Sequence, residues 1–268
     1  DTAFRSRGEI EIPPSPLERF GTWPKRLHEQ MVYDEFIVNI RGAGRVLTNS
    51  RFTRERILAR HGVASSVIYP GVDLDTFHPG SLATKDSYVL SAGILHPQKG
   101  HWFVIESLGL LRPEIRPRLV VASPVAENNT AQQLRDYAAT HGVELDIQTV
   151  RDSDRMAQLY SGAMLLLFAP HEETLGLVAL EAMACGTPVV GVGEGGLVET
   201  IEDGRTGLLV ERDAGEFALA VEKLLVDSAL RGLLGRQSHR YIKQFWTWSR
   251  AVDDLEQAFG HVRPVCEV

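Results

Sequence analysis

The chain has 268 residues, 44% hydrophobic and 24% charged, enough for one large or two modest globular domains with a sizeable core. A formal net charge of −7 excludes general electrostatic attraction to nucleic acid, and the two cysteines, Cys185 and Cys266, give neither a disulfide framework nor zinc spacing. No apolar run reaches membrane-spanning length and the polar start DTAFRSRGEIEIPPSP lacks the apolar core of a signal peptide, so a cytoplasmic location is the expectation.

In chain order, residues 25–41 carry a helical apolar pattern; His28 within it has no motif around it and reads as a surface histidine. GRVLTNS (44–50) reads as a short buried strand and RFTRERILARHG (51–62) as an amphipathic helix closed by Gly62. SSVIYPGVDLDTFHPG (65–80) starts as a strand and then carries Pro70, Gly71, Pro79 and Gly80, the punctuation of a linker. A second series begins at Tyr88. Strands over 88–95, 118–123, 143–150, 164–170, 188–192 and 206–211 alternate with helices over 100–111, 128–142, 152–163, 175–186, 197–203 and 214–227, the last of these being the final long helix before the tail. Strict alternation, with continuous apolar strands such as MLLLF, predicts an α/β fold: a Rossmann-like parallel sheet with helices on both faces.

In such sheets ligands bind at the carboxyl ends of the strands, and three polar clusters fall there. HEETLG follows MLLLFAP. Glu172 and Glu173 stand before a helix N-terminus, and Gly176 lets a ligand approach its backbone, as a phosphate seat requires. One of Glu172, Glu173 and Thr174 is expected to cap that helix instead. Glu181, two turns along an otherwise apolar helix, either binds a ligand or sits in a buried ion pair. HPQKG follows YVLSAGIL, and its Lys99 suits a phosphate or is a solvated surface lysine. GVGEGG matches GxGxxG at Gly191, Gly193 and Gly196, but the following helix is short and no acid closes a next strand, so the match is accidental and the glycines read as a flexible crevice floor.

Together, EETLGLVALEAMACGTPVVGVGEGGLVETIEDGRTGLLV, SAGILHPQKG, VIYPGVDLDTFHP, RVLTNSRFTRERI and FWTWSRAVDDLEQAF resemble the signature of the retaining glycosyltransferases of family 4, of GT-B fold, over residues 44 to 260. The resemblance implies transfer of a sugar from a nucleotide diphosphate sugar to an acceptor hydroxyl of a glycan, lipid or small molecule, with retention of configuration. It implies that Glu173 binds donor-sugar hydroxyls, that Glu181 binds the ribose, and that backbone amides near Leu175, Gly176 and Leu177 receive the diphosphate beside Lys99 and Gly93. Glu173 and Lys99 are then the catalytic pair. No metal or other cofactor is implied, because a cation and a helix N-terminus meet the leaving charge. Two departures stand out. Ile94 occupies the place of the family's loop arginine, so one cation at the diphosphate is missing, and His96 or His101 is at most a partial substitute. And only residues 1–45 precede VLTNS, where the family has a complete N-terminal domain with its acceptor loop and its peripheral membrane contacts.

The expected organisation is therefore a remnant of the acceptor domain (1–68), a linker (69–84), a donor-binding domain (85–240) and a C-terminal helix and tail (241–268). Such a chain binds a nucleoside diphosphate but transfers sugar poorly by itself. The alternatives are a non-catalytic nucleotide-sugar binding module, a GT-B epimerase or phosphorylase, and a Rossmann oxidoreductase resting on GVGEGG.

Overall fold

The structure, a computed structural model, describes residues 37–80, 88–125 and 129–260. Residues 37–42 are helical; the rest of the 25–41 helix with His28, the end of the linker at 81–84, and the tail with Cys266 lie outside the described residues. The α/β expectation holds. Six strands, β3 (Tyr88–Ala92), β4 (Arg118–Ser123), β5 (Leu145–Thr149), β6 (Leu166–Phe168), β7 (Val189–Val192) and β8 (Gly207–Val210), form one parallel sheet in the order β5-β4-β3-β6-β7-β8. The central strands are apolar on both faces, and every residue of β3, β6 and β7 is buried. Burial on both faces requires a helical layer on each side, and two hydrophobic clusters fill those layers. One packs Leu90, Phe168, Leu180 and Trp246, the other Val89, Leu167, Phe217 and Leu234.

The helices between the strands are α2 (His101–Gly109), α3 (Asn129–Thr140), α4 (Ser153–Gly162), α5 (Leu177–Ala184) and α6 (Leu197–Thr200), and α7 (Ala214–Val226) follows β8. Asp152 and Asp213 open α4 and α7 by accepting from the Arg155 and Glu216 amides, two orphan donors that a carboxylate meets well. Helix α7 is not the last. Asp227 caps an 18-residue helix, α8 (Ser228–Phe245), which precedes α9 (Trp248–Gly260). Gly232 and Gly235 weaken the helical pattern of α8. Gly235 is there for packing: a Cβ on it would lie 2.4 Å from the Gly186 carbonyl oxygen. The boundary expected at 240 falls inside this helix. No described helix is long and apolar enough to cross a membrane.

Ahead of the sheet, β1 (Leu47–Thr48) and β2 (Ser66–Val67) pair in parallel around α1 (Arg51–His61). Ser50 caps α1 through the Thr53 amide, and Gly62 at φ 66° closes it. This small unit docks on the larger one. The linker backbone bonds the α8–α9 junction, Val72 N–H to Trp246 O at 2.9 Å, and Gly71 lies so close to Trp248 that a Cβ would stand 2.2 Å from its nitrogen. Tyr69 packs edge-on against Trp246. Arg45 donates to the Ala258 carbonyl.

The strongest tether is Glu199 on α6, whose side chain is only 4% exposed. It accepts from the Arg51 amide (2.9 Å), the Phe52 amide (2.8 Å), Arg51 Nε (3.2 Å) and the Tyr69 hydroxyl (2.6 Å). A carboxylate thus satisfies the first amides of α1 and meets the positive end of its dipole. Burial pushes the Glu199 carboxyl up, but the bonds from Tyr69, Arg51 and Phe52 together hold it below the ordinary range. Burial and the same carboxylate push Tyr69 up to about 12. Glu199→Ala should therefore cost about 1.5–3 kcal/mol and speed hydrogen exchange at the Arg51 and Phe52 amides. The contribution is fully present above the unfolded carboxylate pKa of about 4 and is lost as pH falls through the lower folded value. Exchange that is the same in wild type and mutant at neutral pH would refute the tether.

Candidate functional site

Sheet order reverses between β3 and β6: β4 and β5 lie on one side of β3, and β6, β7 and β8 on the other. The loops after two strands at such a switch point diverge and leave a crevice. Here those loops are 93–100 after β3 and 169–176 after β6. They are joined at the floor, where the His171 amide donates to the Gln98 carbonyl at 2.8 Å. Gly100 permits the close approach. It has φ 75°, and a Cβ on it would stand 2.0 Å from the Ala169 carbonyl oxygen.

The structure brings the predicted site residues together. Lys99 ends a one-turn 3-10 helix (Pro97–Lys99), and its Nζ lies 2.9 Å from Glu173 Oε2. Its stem runs beside Gly93, whose φ of 142° sets the direction of the loop. Lys99 is thus no free surface lysine. Glu173 precedes α5, and the N-cap of α5 is Gly176 at φ 91° with no side-chain cap. The expectation that Glu172, Glu173 or Thr174 caps this helix is incorrect. Glu173 points to Lys99, and Glu172, at φ 50°, to Arg56 of α1, with Nη1 to Oε1 at 2.7 Å. Among the described residues no side chain caps α5 by a hydrogen bond, which is the arrangement an anion needs. Leu175 is buried and anchors the turn, whereas Leu177 faces solvent.

Glu181 is half-buried on α5 and accepts from the Tyr160 hydroxyl at 3.0 Å; among the described residues it has no ion pair, so the buried-pair alternative fails. Burial pushes its carboxyl above the ordinary range, although the Tyr160 bond works against this. Burial therefore works against the charged form of Glu181.

The crevice floor is closely packed. Gly195 has φ 61°, and its Cβ would lie 2.4 Å from the Glu173 carbonyl oxygen; a Cβ on Gly196 would lie 2.2 Å from that of Thr174. Gly196 N–H donates to Glu173 O at 2.7 Å. Backbone therefore touches backbone, and the 193–196 loop buttresses the 173–175 turn.

His101 is no substitute cation. It is fully buried between Ser91 Oγ (2.9 Å) and the Ile94 carbonyl (3.2 Å), and burial pushes it down to about 4. His96 is engaged as the cap of the 3-10 turn. Ile94 itself is 52% exposed.

Sequence reasoning missed Arg212. This residue donates to the Ala169 and Pro170 carbonyls (3.0 and 2.8 Å) and grips Glu194 at 2.7 Å, so one guanidinium ties the loops after β6, β7 and β8. Its bond to Glu194 holds that carboxyl below the usual range. Nothing in the local sequence around Arg212 marks it, because all its partners are distant in the chain.

Residues 75–243 match the family described as "Glycosyl transferases group 1". The D-inositol 3-phosphate glycosyltransferase of Stackebrandtia nassauensis is 35% identical over 214 residues, which cover 73% of this chain and 48% of that protein. The protein of the same name from Mycolicibacterium smegmatis is 30% identical over 267 residues, covering 93% and 57%. The chain spans about half the length of the curated relatives it matches. Among solved structures, Anabaena Alr3699/HepE in complex with UDP and glucose superposes with a TM-score of 0.74 at 21% identity, over 83% of this chain and 65% of that one. Sucrose-phosphate synthase from Thermosynechococcus elongatus superposes at 0.72 and 24%, over 84% and 59%. These likenesses establish the GT-B Rossmann-like fold.

The raised carboxyl of Glu181 has a measurable consequence. A group whose folded pKa is raised contributes stability that is complete below its unfolded value, about 4, and is lost as pH rises through the folded one. Glu181→Gln keeps an acceptor for Tyr160 and removes the charge. The empty mutant should melt higher than wild type at neutral pH, with the gap closing toward pH 4. A gap independent of pH would show that the charge carries no desolvation cost.

Proposed function

The chain belongs to the group 1 glycosyl transferases, and from that premise we propose that its crevice holds a nucleotide diphosphate sugar and serves its transfer, with retention of configuration, to an acceptor hydroxyl. The observation that carries this reading is the Lys99–Glu173 pair set beside the uncapped N-terminus of α5 at the switch point of the sheet. An anion at the α5 terminus meets free amides, a positive dipole end and the Lys99 ammonium. A diphosphate fits that set, and the same groups stabilise the charge that grows on it as the sugar departs. This charge is met without added metal. Lys99 then leaves Glu173, whose freed carboxylate accepts from sugar hydroxyls. Glu181, with one oxygen held by Tyr160, offers the other to the ribose. Its costly ionisation in the empty protein fits a residue kept for binding. UDP is the first nucleotide to test, since Anabaena Alr3699/HepE, of the same fold, was solved with UDP and glucose. The donor unit in this reading begins at residue 85 and runs past 240 to the end of α8, with 1–68 as part of an acceptor domain and 69–84 as the linker between them.

A thermal-shift panel of UDP, GDP and ADP against their nucleosides, in chelator, tests the reading. At least one diphosphate should raise the melting temperature far more than its nucleoside. Lys99→Ala should weaken that diphosphate about tenfold or more while leaving the nucleoside unchanged. Glu181→Ala should weaken both. No shift with any of the three diphosphates would overturn the proposal, and parallel loss of diphosphate and nucleoside in Lys99→Ala would remove its phosphate role.

A further inference from the structure

Two cation–carboxylate pairs stand on consecutive residues of the loop that enters α5. Lys99 Nζ meets Glu173 Oε2 at 2.9 Å, and Arg56 Nη1 meets Glu172 Oε1 at 2.7 Å. The Cα atoms of adjacent residues are about 3.8 Å apart, so the two cations flank one turn of backbone. They come from different parts of the chain: Lys99 from the loop after β3, and Arg56 from α1, outside the six-stranded sheet. We infer that Arg56 is a second diphosphate ligand, so that α1 completes the donor site. The inference rests on the reading of the crevice as a nucleotide-sugar site.

Three observations carry it. First, the pair is built and not incidental. Glu172 takes φ 50°, a conformation that a residue with a Cβ rarely adopts, and in it its carboxylate lies against Arg56. Helix α1 is in turn held in place by the Glu199 carboxylate at its first turn, which keeps Arg56 at the crevice rim. Second, the charges balance only while the site is empty. Glu172 and Glu173 neutralise Arg56 and Lys99 one for one, and a diphosphate that displaces both carboxylates finds two cations released together. Third, beside Lys99 the β3 loop supplies no second cation. His101 is neutral and buried, and Ile94 presents an exposed apolar side chain there. The guanidinium of Arg56 is about half exposed, over the ring of Phe52 at 5.3 Å, so it keeps the freedom to change partners. Its planar fork suits a phosphate.

The competing possibility is that Arg56–Glu172 is only a clasp between α1 and the donor loop. Isothermal titration of the full chain separates the two, with UDP as the probe, or GDP or ADP if the panel above selects one of those, and the matching nucleoside as the control. Arg56→Met keeps helix propensity and stem packing. It should weaken the diphosphate about tenfold and leave the nucleoside unchanged. Glu172→Gln releases Arg56 from its competitor and should tighten the diphosphate several-fold. A clasp predicts the reverse for Glu172→Gln, weaker binding of diphosphate and nucleoside alike as the loop loosens. Unchanged diphosphate affinity in Arg56→Met, or loss of both ligands together, overturns the inference and leaves the Lys99 reading intact. Absence of binding to wild type by UDP, GDP and ADP overturns both.

Discussion

The order reversal between β3 and β6 is the constraint on which the crevice depends. Parallel strands need crossover helices, and a sheet wound outward from the middle must send its connections to opposite sides at one point. At that point the loops after β3 and β6 part from each other above the sheet while remaining neighbours below it. Lys99, Glu172 and Glu173 all hang from these two loops. The Gln98–His171 backbone bond sets their spacing, and Arg212 ties the second loop to those after β7 and β8. The result is a rigid frame under exchangeable side chains.

Glycine has a different part at each place in this frame. At Gly176 it caps α5 without adding a side chain, and so leaves amides uncovered. At Gly100, Gly195 and Gly196 it removes a Cβ that would collide with backbone oxygen. Short glycine runs are easily read as mobile, yet here they permit the densest backbone packing in the site. Any side chain at Gly196 must push the 173–175 turn, and with it Glu173, out of position.

The charge pattern of the crevice is that of a site kept in waiting. Lys99 and Arg56 rest on neighbouring carboxylates, and Glu181 keeps a partly buried charge with a single hydroxyl partner. The exposed Arg56–Glu172 pair adds little to stability. The value of such pairs lies in holding charged groups close to where a ligand can re-pair them. Glu199 differs from these acids. Its four bonds are made to α1 and Tyr69, its carboxyl is stabilised in the ionised form, and it acts as a structural tether. In the proposed reading, neighbouring acids of one motif thus divide into binding and structural groups according to their partners.

The sequence by itself determined the α/β alternation, the order of the strands along the chain, and the family, because burial patterns and caps are local properties written over a few residues. It drew β3 and β6 too long, at 88–95 and 164–170 against 88–92 and 166–168. It also determined that Lys99, Glu173 and Gly176 fall at strand ends or helix starts, and that Glu181 lies further along the same helix. It missed α8, since Gly232 and Gly235 interrupt the helical pattern and only contact with Gly186 accounts for Gly235. It assigned a side-chain cap to α5 where Gly176 serves, and allowed His101 a charge that burial removes. Only the tertiary structure decided that Arg56 meets Glu172, that Arg212 joins three loops, that Tyr160 supports Glu181 and that Glu199 caps α1. Each of these contacts joins residues far apart in the chain, and no period or spacing along a sequence encodes which distant side chain will close a given pair.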